Sequence, residues 1–283
     1  MKFGLSIPHI GNLASPEAIR SVAERAEELG YDSLWVLERT LVPVNPIIPY
    51  PATKDGKLPD EYKIVLDPIE SLTFAAAVTS RIRLGTSVIV LGNHFPLLLA
   101  RRLATLDVLS RGRLICGLGI GWSQDEIEAA GVDFKTRGRR ADEFVQVLKK
   151  IWTEDPVEFS GKFFQIPKSY IGPKPVQKPH PPIIFGGFVG KSFERVVKHG
   201  SGWNPSGVPA EHLQGMIESM RAAARAEGKR PEDFEVYYRA FWHPTREEFK
   251  KLEDIGVNHV ILDLNFNSYA LDAVLKQMGE IKP

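Results

Sequence analysis

Few residues of this chain can move a proton or hold a charged group, and they recur at the ends of apolar runs. His9 closes KFGLSIPH, Glu38 and Arg39 close LWVLER, and His243 follows Trp242 after VYYRAFW. Two glycine clusters end similar runs: GLGIGW at 117–122 and FGGFVGKS at 185–192. The first invites comparison with a dinucleotide loop, which needs G-x-G-x-x-G and an acidic residue about twenty positions on, at the end of a second strand. Here the third glycine comes one residue early, and the segment at that distance, RGRRADEFVQVLKKIW, reads as a helix. The dinucleotide reading fails. In the second cluster Gly186 and Gly187 end a strand, and Gly190, Lys191 and Ser192 open a helix. Free backbone N–H groups and the helix dipole there suit an anion such as a phosphate. A plain strand-to-helix turn is the alternative.

The elements that must position these residues repeat one theme, an amphipathic helix, a glycine and a β-rich run. AERAEELG precedes YDSLWVLE, and FKKLEDIG precedes VNHVILDL, with Gly30 and Gly256 at left-handed cap positions. Apolar spacing predicts strands at 2–7, 33–37, 82–90, 113–119, 182–186, 202–204, 235–241 and 258–264. Helices are predicted near 16–29, 68–80, 96–109, 138–153, 190–199, 209–227, 245–255 and 269–280. The strand runs are nearly all apolar, as strands covered on both faces must be. Eight alternating units with no shift in composition predict one α/β domain over 1–283, a (β/α)8 TIM barrel. Residues 41–66, rich in proline and turn residues, are far longer than an ordinary loop and read as a lid. Residues 154–181, ending PKPVQKPHPP, read as a second excursion, an extended surface chain before the fifth strand.

In such a barrel the chemistry lies at the C-terminal strand ends. They carry His9; Glu38 and Arg39; Ser87, Val88 and Asn93; Gly119, Gly121 and Trp122; Gly186 and Gly187; Trp203 and Asn204; Trp242 and His243; and Asn265. The set is aromatic and glycine-rich with few carboxylates, which disfavours glycoside hydrolysis, where two facing carboxylates are required. The seven histidines show no H-x-H or H-E-x-x-H spacing, so no metal is assigned. Cys116, the one cysteine, lies inside RLICGLG without a cationic neighbour and reads as a small apolar core residue. A formal net charge of +1 and 25% charged residues give no field for nucleic acid or an anionic membrane surface. Without a signal peptide or an apolar span, the expectation is a cytoplasmic protein. Glycines and aromatics with a few donors suit a flat ring cofactor that needs close backbone approach.

Five segments carry a resemblance: DSLWVLER, RIRLGTSVIVLGNHFPLLLARRLATLDVLSRGRLICGLGIGW, RGRRADEFVQVLKKIW, GPKPVQKPHPPIIFGG and HGSGWNP. In order and spacing over most of 1–205, they resemble the bacterial luciferase-like monooxygenase superfamily, and within it the branch that uses the deazaflavin coenzyme F420. The resemblance implies a homodimeric oxidoreductase that holds a flavin-like ring non-covalently at the barrel mouth and moves a hydride between the deazaflavin and a small organic substrate. An FMN-dependent monooxygenase is the alternative, and a non-catalytic flavin-binding barrel is the alternative of another class. By motif, Ser87 and Val88 match a bulge after the third strand, often with a non-proline cis peptide, that backs the ring. Gly119, Gly121 and Trp122 match the turn that approaches the cofactor, while Gly186, Gly187, Lys191 and Ser192 would hold its phosphate. Glu38 and Arg39 match a pair in which many deazaflavin-dependent members have an acid followed by histidine. Arginine is a poor general acid, so Arg39 is expected to orient an anionic group or pair with Glu38. The proton then falls to Glu38, His9 or His243.

Overall fold

The computed structural model describes residues 1–188, 190–241, 244–263 and 271–281. In chain order its strands are β1 (Lys2–Ser6), β2 (Ser33–Val36), β3 (Arg83–Thr86), β4 (Ile89–Val90), β5 (Leu114–Gly119), β6 (Val157–Ser160), β7 (Gln165–Ser169), β8 (Ile183–Gly186), β9 (Gly202–Asn204), β10 (Glu235–Ala240) and β11 (His259–Leu262). The helices are α1 (Pro16–Glu28), α2 (Pro68–Val78), α3 (Pro96–Leu109), α4 (Gln124–Ala129), α5 (Arg137–Thr153), α6 (Gly190–His199), α7 (Ala210–Ala226), α8 (Arg246–Asp254) and α9 (Leu271–Ile281).

Eight barrel strands pair in parallel through β1, β2, β3, β5, β8, β9, β10 and β11, and β11 returns to β1 with Lys2 opposite His259. The third strand is broken. β3 sets Leu84 opposite Leu114, β4 sets Ile89 opposite Leu118, and between them the Ser87–Val88 peptide is cis, as the resemblance implies. Both halves stay on β5, so the break displaces only Ser87 and Val88 from the ladder.

Buried side chains form two main shells and a small third cluster of Val90, Ile127 and Val132. The larger lies between barrel and helices, where α1 contributes Ile19, Val22 and Ala23 at helical spacing. The smaller fills the barrel itself with Trp35, Ile115, Ile184, Tyr237 and Ile261, one residue from each of five strands. Trp35 fits because its neighbours are glycines, since a Cβ on Gly4 or Gly85 would stand 2.3 Å from its indole. Cys116 is fully buried, and burial pushes its thiol well above the usual range, so it is an inert core residue.

One expectation is corrected. Residues 154–181 are not simply extended: β6 and β7 form an antiparallel hairpin, and the Glu143 carboxylate on α5 ties down its turn by accepting from the N–H groups of Lys162, Phe163 and Phe164. The proline segment after it hangs on buried Asp107, which accepts from the backbone of Val176 and Gln177. The turn after β5 also contains a short extra helix, α4, capped by Ser123. Among the described residues, no helix is long and apolar enough to cross a membrane.

Candidate active site

A cavity of ≈510 Å³ opens at the C-terminal ends of the barrel strands, roofed by Tyr50, Pro51, Ala52 and Tyr62 of the 41–66 segment. The expected lid therefore covers it. Its two ends are pinned: Gly11 and Leu66 N–H groups bond to Ile64 O and His9 O at 2.8 Å, while Thr40 and Leu41 are held by Glu126.

Of the residues singled out by sequence, Glu38, Arg39, Ser87, Val88, Gly119, Gly121, Trp122, Gly186, Gly187 and Ser192 all line this one cavity. Three do not join them. Lys191 is exposed on the first turn of α6, away from the wall. His9 is 0% exposed and belongs to the scaffold: its Nδ1 is 2.9 Å from Ile7 O, and its Nε2 accepts from the Leu37 N–H at 3.0 Å. Burial lowers its pKa from 6.5 to about 4, so the ring is neutral and both nitrogens are committed to backbone. His243, like Trp242 and Asn265, lies outside the described residues. Trp203 is also displaced from the expected pocket: fully buried, it props the Gly187 turn by donating from Nε1 to Gly187 O at 2.8 Å.

The floor of the cavity is built around the third-strand break. Val88 projects into space that the flanking glycines leave: a Cβ on Gly119 would stand 2.5 Å from a Val88 methyl, and one on Gly186 3.4 Å. Ser87 Oγ pairs with Asn204 Oδ1 at 2.7 Å, and Arg239 Nη1 donates to Ser87 O at 3.0 Å. Arg239 is 6% exposed, and its guanidinium spans both oxygens of Asp263, at 2.8 to 3.1 Å. Ser6 Oγ donates to the same carboxylate. Burial alone would lower the Arg239 pKa, but Asp263 holds it above its usual value, so a charged pair sits under Ser87. Sequence reasoning passed over both, although a single arginine in VYYRA and a single aspartate in VILDL were the available signals.

Glu38, 6% exposed, is gripped from two sides, accepting from the Val90 N–H at 2.6 Å and facing His94 Nε2 at 2.6 Å. His94 lies before α3 and went unnoticed because nothing in NHFP sets it on a strand end. Arg39 does not pair with Glu38, as one expectation had it. Its Nη1 meets Glu126 Oε2 at 2.5 Å, and Glu126 also accepts from Thr40 N and Oγ1. Glu126, in the first turn of α4, thus anchors both lid and guanidinium.

Above Arg39 stands an aromatic cluster. The guanidinium carbon lies 5.0 Å from the Trp122 ring centroid and 6.0 Å from that of Tyr62, and Tyr50 packs on Trp122 at 5.3 Å. Burial pushes the Tyr62 phenol up, so it stays protonated. At the other end Gly187 adopts φ 128°, and a Cβ there would stand 2.3 Å from Ser192 Oγ. Arg137, also on the cavity wall, donates to Gly121 O and Phe134 O but has no carboxylate partner among the described residues. The cavity thus has glycine walls, one bulged valine, paired charges and one unbalanced cation.

The family model described as luciferase-like monooxygenase matches residues 1–276. An uncharacterized protein of Mycobacterium tuberculosis (strain ATCC 25618 / H37Rv) is 37% identical over 212 residues, 74% of this chain and 75% of that one. The FMNH(2)-dependent dimethylsulfone monooxygenase of Pseudomonas putida is 32% identical over 165 residues, 56% of this chain and 45% of that enzyme. Among solved structures, an F420-dependent secondary alcohol dehydrogenase in complex with an F420-acetone adduct superposes with TM-score 0.80 over 100% of this chain and 98% of that one. At 18% identity that likeness concerns the fold.

Proposed function

The chain belongs to the luciferase-like monooxygenase family, and from that premise we propose that it binds coenzyme F420 in the mouth cavity and passes a hydride between the deazaflavin and a small organic substrate. The residues fit such a ring: Gly119, Gly121 and Gly186 clear a flat space, and Val88 would support one face. Gly187, Ser192 and the start of α6 would take the phosphate, with Arg137 as the countercharge. When bound, the deazaflavin supplies the hydride chemistry. The protein holds, orients and keeps water out, the last through the Tyr50–Tyr62 roof.

The observation that carries this reading is the Glu38–His94 pair. Hydride transfer at a carbon–oxygen bond needs a partner for the proton, and Glu38 stands on the cavity wall with its orientation fixed by the Val90 N–H and His94. Arg39 serves the lid through Glu126 and is not assigned the proton transfer. A second reading, an FMN-dependent monooxygenase, is favoured by the 32% identity to the FMNH(2)-dependent enzyme. We also place a second copy of the chain on the α2–α3 face, where a groove of ≈390 Å³ is edged by Ile69, Leu98 and Leu109. Leu98 and Leu109 are each 58% exposed there.

Titration of the apoprotein with F420 and, separately, with FMN, followed by ligand fluorescence, tests the cofactor. The expected result is tight binding of F420 and loss of that binding in Gly187→Asp, which sets a charge and a Cβ against Ser192. Preference for FMN moves the protein to the second reading, and binding of neither overturns both.

A further inference from the structure

The lid side of the cavity is chemically distinct from the glycine side. Glu126 is 3% exposed on its side chain and accepts from Arg39 Nη1, Thr40 N and Thr40 Oγ1, so its charge is balanced and its oxygens are used. The Arg39 side chain is 8% exposed; its Nε is buried without a hydrogen-bond partner, and among the described residues its Nη2 has none either. A buried N–H left unpaired is costly, and protein sites that carry one usually complete it with an acceptor. The same guanidinium lies under Trp122 and Tyr62, with Tyr50 against Trp122. Free guanidinium N–H groups beside three aromatic rings suit a conjugated ring bearing an oxygen acceptor.

The charge of that ligand follows from the pairs already made. Arg39 is balanced by Glu126 and Arg239 by Asp263, so a carboxylate on the ligand would add a second anion against Glu126. An ammonium would face two arginines whose carboxylates are already used. The unbalanced Arg137 lines the same cavity and donates to Gly121 O, and the cofactor reading assigns it to the phosphate. We infer that the substrate end of the cavity takes a neutral aromatic or conjugated carbonyl compound, its ring packed on the Tyr50–Tyr62–Trp122 cluster and its oxygen accepting from the free N–H groups of the Arg39 guanidinium. The inference rests on the cofactor reading only in leaving Arg137 to the phosphate.

Calorimetric titration of the full-length protein, with and without F420, tests it using four probes: 1-acetonaphthone, 1-ethylnaphthalene, cyclohexyl methyl ketone and 1-naphthoate. The expected order places 1-acetonaphthone about tenfold or more tighter than each of the others, the scale of one hydrogen bond or one ring contact. In Arg39→Met combined with Glu126→Gln, which leaves no lone buried charge, the gap between ketone and hydrocarbon closes. In Tyr50→Leu that gap remains, and the gap between 1-acetonaphthone and cyclohexyl methyl ketone narrows. Equal binding of 1-acetonaphthone and 1-ethylnaphthalene by the native protein overturns the inference, as does tightest binding of 1-naphthoate. Failure of the protein to bind F420, with the ketone preference intact, contradicts the cofactor reading and leaves the substrate class standing.

Discussion

Glu38 and His9 are both buried near the barrel mouth, and their neighbours give them opposite roles. Glu38 keeps a face on the cavity, while both nitrogens of His9 are taken by the backbone of Ile7 and Leu37. Replacing Glu38 by Gln keeps the shape and the Val90 N–H bond but removes the proposed proton carrier. Turnover is expected to fall by roughly 10²-fold or more, with F420 affinity nearly unchanged in the same titration. His9 predicts a pH effect on stability. Its folded pKa, about 4, is below its ordinary 6.5, so the unfolded chain takes up a proton that the folded one refuses. His199, lowered to about 4 by burial and by the nearby Lys149, adds in the same direction. Stability is therefore complete above about pH 6.5 and declines as pH falls toward 4, which thermal melts across that window will read; a flat melting temperature there would contradict the assignment. At this scale the sequence was readable by residue type, with ten candidates meeting at one cavity. What it withheld were partners: His94 for Glu38, Glu126 for Arg39, Asp263 for Arg239. Each pair joins distant segments, and no local spacing announces them.

Elements were legible where burial on both faces enforces an apolar run. β9 is the predicted 202–204, and α5 begins one residue before its predicted start. The break between β3 and β4 was not visible in LGTSVIVL, which reads as one strand by hydrophobicity and was anticipated only through the family resemblance. The β6–β7 hairpin was missed because its stabilising contacts, Glu143 under the turn and Phe164 against Phe144, come from another helix. The α2–α3 groove belongs to this scale too. Arg102 crosses it to Asp67 and Glu70, so its polar edge is internally paired while Leu98 and Leu109 stand exposed. Light scattering of the native protein should give twice the chain mass. Leu109→Glu, a charge in that apolar contact, should shift the population to single chains with the fold intact by circular dichroism. A native protein already at single-chain mass would remove the dimer from the account.

The whole molecule is a nearly neutral chain, +1 in formal charge, and two of the three arginines lining its mouth are held in internal pairs, Arg39 with Glu126 and Arg239 with Asp263. Its architecture separates three tasks. The barrel interior, filled by Trp35 between two glycines, gives rigidity; the third-strand break and its Arg239–Asp263 support shape the floor; the lid, tied to Glu126, closes the top. The measurement that tests this account most directly is a crystal structure of the protein grown with F420. The account predicts the deazaflavin ring against Val88, between the Gly119 and Gly186 walls, with its phosphate at Gly187, Ser192 and Arg137. A ring lodged elsewhere, or a phosphate on the lid side beside Arg39, would contradict it.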